Sequence, residues 1–215
     1  MRVLFVILFF VANLASAAVT DYGALYQNPD EVRKILTPGA DELYLGKEDA
    51  PITIIEYSSL SCHHCGDFQR NVFPQMKENY IDTGKLKYIH RDFPMDLSSS
   101  KASTLIHCAD KNQFFTFLKI LFEKQSNWVS QKNYLEILEN IGKLGGMSGD
   151  RIQKCFADKD LENKILNERL EAIKIVDKDG NASIGGTPTF FINGEKLTKG
   201  HDYKSLSEKF DSMLK

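Results

Sequence analysis

An apolar run, PITIIEYSS at residues 51–59, ends three residues before the first cysteine of the C-x-x-C sequence Cys62-His63-His64-Cys65. This junction constrains the fold more than any other feature of the chain. The run is rich in β-branched residues and shows no polar alternation, as a central strand buried on both faces would. Beyond the cysteines, Phe68, Val72, Met76 and Tyr80 recur every four residues with Phe73 beside them, which predicts a helix with one apolar face. Pro74 falls inside that helix and predicts a kink. GKLKYIHRDF, at 84–93, reads as a second core strand. Strand, helix and strand in this order argue for a parallel βαβ unit.

The flanking sequence fits around that unit. The first 17 residues carry one positive charge, Arg2, then an apolar run from Val3 to Leu14, then Ala15-Ser16-Ala17. This is a secretory signal pattern with cleavage after Ala17, and the run is short for a membrane span. Residues 18–40 form an N-terminal extension with a short helix predicted over 28–36. DELYLG, at 41–46, reads as an edge strand. From 97 to 178 the sequence is helical. Its apolar sets include Phe114, Phe117, Leu118 and Leu121; Tyr134, Leu138 and Ile141; and Ile165, Leu166, Leu170 and Ile173. Breaks near Asn112, Asn127 and 143–150 predict four or five helices. Strands return after 179, with Asn193-Gly194 between two apolar runs as a strong hairpin signal. An amphipathic helix follows over 203–214. The expected fold is α/β: a sheet domain in two halves, 41–96 and 179–215, with a helical domain, 97–178, inserted between them.

A C-x-x-C pair can be half a zinc site, a static staple or a redox centre. A structural zinc site needs four ligands, and Cys108 and Cys155 form no second C-x-x-C pair. The strand-to-helix junction favours redox chemistry. Backbone N–H groups at a helix N-terminus favour negative charge, and the thiolate is the reactive form of cysteine. Cys62 is then the attacking sulfur and Cys65, one turn further in, the resolving one. His63 and His64 add donors that stabilise a thiolate, with His64 expected to do more. Export to an oxidising compartment points the same way. The net charge of −2 gives no electrostatic case for nucleic acid.

The pairing of SCHHC with GTPTFFING at 186–194 resembles the DsbA-like thiol:disulfide oxidoreductases of the thioredoxin superfamily, over nearly all the chain beyond the signal. The resemblance implies a thioredoxin fold with a helical insertion and no organic cofactor or metal. His63 departs from the family, which more often has proline there. The proline of the TPT segment, Pro188, would be cis. Thr187 before it would pair its backbone with an extended substrate, a form of strand addition. The resemblance also implies a buried acid at Glu56, which raises a cysteine pKa or passes protons, with Lys87 as a candidate partner. Cys108 and Cys155, each on an apolar helix face, read either as buried free thiols or as a bridge; export and some relatives with a second disulfide favour the bridge. His90, His107 and His201 read as surface or packing histidines.

The sequence therefore predicts an exported, periplasmic enzyme that donates the Cys62–Cys65 disulfide to reduced or unfolded exported proteins. A membrane redox partner would reoxidise it. The alternatives are a disulfide isomerase or reductase, which Thr187 favours, and a metal-binding or metal-delivery protein using Cys62, Cys65 and a histidine.

Overall fold

The structure, a computed structural model, describes residues 29–177 and 182–215. The expected signal segment and residues 18–28 of the extension lie outside the described residues. Five strands form one sheet: β1 Tyr44–Leu45, β2 Ile52–Ser58, β3 Leu86–Asp92, β4 Thr189–Ile192 and β5 Glu195–Lys196, in the order β1-β3-β2-β4-β5. β2 and β3 are parallel, in register from Ile52 opposite Leu86 to Ser58 opposite Asp92. The other neighbours are antiparallel. The short strand β1 sits at the sheet edge, where the sequence places it.

The β2–β3 crossover is not one kinked helix. It runs through α2, His63–Asn71, then α3, Phe73–Met76, then a π turn at Lys77–Ile81. The break falls at Val72, two residues before the proline. Pro74 there occupies the start of α3, where its missing N–H costs nothing. Phe68, Met76 and Tyr80 pack on one face of the sheet with Ile52, Ile54 and Tyr88. On the other face α1, Pro29–Leu36, contributes Leu36 to a cluster with Ile55, Tyr57 and Ile89. The hairpin between β4 and β5 turns at Asn193 (φ 49°) and Gly194 (φ 84°). Two consecutive left-handed residues are what the tight hairpin turn requires.

The insertion comprises α4 Leu97–Cys108, α5 Phe114–Glu123, α6 Gln125–Trp128, α7 Tyr134–Leu144, α8 Gly149–Ala157 and α9 Lys159–Ala172. That is six helices, one more than expected, because a break at Lys124 separates the short α6 from α5, while the break expected near Asn127 follows Trp128. The core here is built from Leu105, Phe117, Leu121, Trp128 and Ile152, and it takes in Leu60 and Cys65 of the sheet domain. The two domains therefore share a core at the cysteine pair. Cys108 at the end of α4 is joined to Cys155 of α8 (S–S 2.00 Å). In α9 only Ile165 of the apolar set is buried; Leu166, Leu170 and Ile173 are exposed. The chain closes on α10, Tyr203–Met213, whose Leu206 and Phe210 cover the sheet.

Candidate active site

Cys62 is the N-cap residue of α2, with extended backbone (φ −74°, ψ 122°). Its N–H bonds the carbonyl of Ser59, which closes a turn directly after β2. Both Cys62 and Cys65 are free thiols, and Cys62 is half-buried while Cys65 is fully buried. Their acidities diverge. The Cys65 thiol, as a hydrogen-bond donor, draws Cys62 down to about 5, against the opposing effect of partial burial; the Thr187 side chain and the backbone N–H groups of Cys65 and His64 add to it. Burial pushes Cys65 far above the usual thiol range, and its bond to Cys62 and the charge of Glu56 push it further. One sulfur is thus held as a thiolate and the other as a thiol.

Thr187 and Pro188 lie against this pair. The Thr187–Pro188 bond is cis, and Cys62 Sγ lies 3.2 Å from the Thr187 carbonyl oxygen, to which it donates only when protonated. The Thr187 hydroxyl donates to Met95 Sδ at 3.4 Å. Met95 and Leu97, just before and at the start of α4, are 59% and 72% exposed.

Glu56 is fully buried in β2. Its Oε2 accepts from Tyr88 Oη at 2.5 Å and Gln69 Nε2 at 2.8 Å, while Oε1 has no partner among the described residues. Burial pushes its pKa up, with His90 and the hydrogen bonds opposing. Lys87 is not its partner. Lys87 stands opposite Thr53 in the register, whereas Glu56 stands opposite His90. Alternation along the strand sends Lys87 to the other face, where its Nζ bonds the Glu48 carbonyl and lies over the Tyr44 ring.

His63 and His64 are both exposed. His63 Nδ1 pairs with Asp67 at 2.9 Å, and Asp67 also accepts from Arg70. Ligand atoms of His63, His64 and Asp67 lie within 4.8 Å of one another. Neither cysteine belongs to that group, so it is not the cysteine–histidine set of the metal reading. Of the two histidines, only the backbone N–H of His64 is among the groups that lower Cys62. His90 is buried between the rings of Phe114 and Phe122, and both it and His107 face Asp92. His201 lies beside Phe190.

Several positioning residues carry no signal in the sequence. Buried Gln125, at the start of α6, donates to the carbonyls of Leu60 and Cys62, both at 2.8 Å. It pins the cysteine loop to the helical domain. Gly66 makes room for it: a Cβ there would lie 2.3 Å from Gln125 Oε1. Arg70 donates to the Phe122 carbonyl at 2.8 Å and ties α2 to α5. Gln69 and Tyr88 hold Glu56, as above.

The family model described as thioredoxin matches residues 39–212. A Rickettsia bellii protein, provisionally named a protein-disulfide oxidoreductase, is 34% identical over 178 residues, 81% of this chain. The chain spans only 65% of that relative's length. Disulfide bond formation protein D of Bacillus subtilis is 26% identical over 175 residues, 80% of this chain and 76% of that one. The crystal structure of Wolbachia pipientis alpha-DsbA1 superposes with a TM-score of 0.76 at 36% identity, covering 85% of this chain and 95% of that one.

Proposed function

The chain belongs to the thioredoxin family, among its DsbA-like members, and from that premise we propose that it is a thiol:disulfide oxidoreductase that passes the Cys62–Cys65 disulfide to reduced proteins. The observation that carries the reading is the placement of the two thiols, Cys62 half-exposed at the N-cap of α2 beside the Thr187 carbonyl and Cys65 buried one turn further in, an arrangement that favours the thiolate at Cys62 and the thiol at Cys65. A substrate thiolate attacks the half-exposed Cys62, and the electron pair of the broken S–S bond goes to Cys65. A second substrate thiolate then attacks the substrate sulfur of the mixed disulfide. It releases Cys62 as a stabilised thiolate, a good leaving group. An enzyme whose reduced form is stabilised in this way is an oxidant.

Substrates dock at Thr187. Its backbone leads into β4 and its carbonyl lies beside Cys62, so an extended peptide laid along it brings a cysteine to the sulfur. Exposed Met95, in contact with Thr187, gives apolar surface for the flanking side chains. The N-terminal signal pattern supports action in the periplasm on exported proteins, with a membrane partner for reoxidation. No helix among the described residues is long and apolar enough to cross a membrane.

The test is to mix the oxidised protein with reduced, unfolded ribonuclease A. The proposed oxidant consumes two substrate thiols per enzyme disulfide and yields the reduced enzyme. Failure to consume thiols overturns the reading. The Thr187 hydroxyl, set between Met95 and Cys62, favours a second reading, disulfide isomerisation. Recovery of activity from scrambled ribonuclease A by the reduced enzyme measures it.

A further inference from the structure

Cys65 poses a proton problem that the front of the site does not solve. When the substrate thiolate displaces Cys65 from Cys62, the Cys65 sulfur carries the electron pair in an environment that strongly disfavours charge. It must take up one proton. Cys65 and Glu56 are both fully buried, and a docked substrate covers the exposed side of Cys62.

Behind Glu56 lies a row of buried polar groups that the exchange chemistry does not otherwise use. His90 is the cross-strand partner of Glu56 in a parallel pair, so both side chains leave the same face of strands about 4.8 Å apart. Glu56 Oε1 and both ring nitrogens of His90 have no hydrogen-bond partner among the described residues. Polar atoms buried in this way are costly and call for an explanation. His90 Nε2 lies 3.6 Å from Asp92 Oδ1. Asp92 Oδ1 also accepts from Ser103, and its Oδ2 meets His107 Nε2 at 2.7 Å. The His107 side chain is 31% exposed. It opens into a cleft of about 1170 Å³ that includes none of Cys62, Cys65, Thr187 or Pro188 in its lining.

We propose that His90, Asp92 and His107 form a proton path that joins Glu56 to this cleft and supplies the proton taken up by Cys65. The inference rests on the oxidoreductase reading above. Glu56 gives its carboxyl proton to the Cys65 thiolate. The resulting carboxylate is reprotonated from His90, and His90 from His107 by concerted transfer across Asp92, which ends each cycle ionised. His107 recovers its proton from water in the cleft. One proton is consumed and one S–S bond is exchanged for another. In reoxidation the same path carries the proton out.

The charged surroundings fit this direction. His90 faces Glu56 from β2, Asp92 from β3, and only the Phe114 and Phe122 rings from α5. His107 faces Asp92, with Glu168 and Lys164 from α9; contact with Asp92 holds its pKa above the ordinary value despite burial. Asp92 is held far below the carboxylate range by the two histidines, against burial. Arg91 and Lys111 also line the cleft.

The experiment measures the rate at which a dithiol peptide reduces the oxidised protein, in wild type, His107→Ala and His90→Phe, at pH 7 with and without added imidazole. A positioned acid–base group contributes roughly 10²-fold or more. His107→Ala is expected to lose at least about tenfold of the rate, with the Cys62–Cys65 potential unchanged and the rate restored by imidazole entering the cleft. His90→Phe is expected to lose the rate without rescue. An unchanged rate in His107→Ala overturns the path, as does a slowed rate that imidazole does not restore or that accompanies a shifted potential. If the wild type itself is not reduced by the peptide, the oxidoreductase reading fails instead.

Discussion

Cys62 and Cys65 lie one helical turn apart, yet Cys62 is half-buried at the N-cap of α2 while Cys65 is fully buried beneath it. The difference assigns the roles of attack and resolution. Cys65→Ala is expected to accumulate mixed disulfides between Cys62 and reduced exported proteins, visible as adducts on non-reducing gels. Cys62→Ala is expected to accumulate none. Adducts in the second variant would reverse the roles.

Thiolate absorbance of the reduced protein is expected to titrate with a midpoint of about 5, against about 8.5 for an ordinary cysteine. Since the Cys65 thiol is the leading cause, Cys65→Ala raises the midpoint most. His64→Ala keeps its backbone N–H and moves the midpoint less. His63→Ala, whose ring is 79% exposed, moves it least because water and salt screen it. A folded pKa below the unfolded one stabilises the reduced protein fully above about pH 8.5. That contribution shrinks as the pH falls and is gone below about 5. Urea unfolding of the reduced and oxidised forms at pH 4.5 and pH 8 checks the sign.

How much of this could be read in the chain differs by element. β2 was legible because its apolar run is short, β-branched and opened by Pro51, which favours a strand over a buried helix, and the β4–β5 hairpin because Asn193-Gly194 suits two left-handed residues. The cysteine pair and Pro188 were legible from their local motifs. The partner of Glu56 was not. It depends on the register that sets Glu56 opposite His90 and Thr53 opposite Lys87, which no local pattern encodes. Gln125 reaches the carbonyl of Cys62 from 63 residues away, and a lone glutamine at a helix start announces nothing. The apolar set around α9 marks the helix but not its buried face, because Leu166, Leu170 and Ile173 share the helical spacing yet remain exposed.

Gln125 gives a prediction of its own. Gln125→Leu removes the donor to two carbonyls, and leaving a buried carbonyl unbonded costs about 1–3 kcal/mol. The variant is expected to lose stability of that order in urea unfolding and to raise the Cys62 midpoint as the loop loosens. Gly66→Ala, whose new methyl meets Gln125 Oε1, is expected to produce the same pair of changes. Stability loss without a change at Cys62 would show that Gln125 does not position the sulfur.

The Cys108–Cys155 bridge closes a separation of 47 residues, which in the chain-entropy model corresponds to about 4 kcal/mol as an upper value. Replacing both cysteines by alanine is expected to lower unfolding stability by up to that amount and to leave the exchange rate at Cys62 nearly unchanged. A large loss of exchange rate in the folded double variant would tie the bridge to the chemistry.

The most direct test of the central claim is the reduction potential of the Cys62–Cys65 pair, from its equilibrium with glutathione. A thiolate held at Cys62 stabilises the reduced form and makes the disulfide an oxidant. The expected value is therefore more oxidising than about −180 mV, that of protein disulfide isomerase. A value near the roughly −270 mV of thioredoxin would contradict the account and make the protein a reductant.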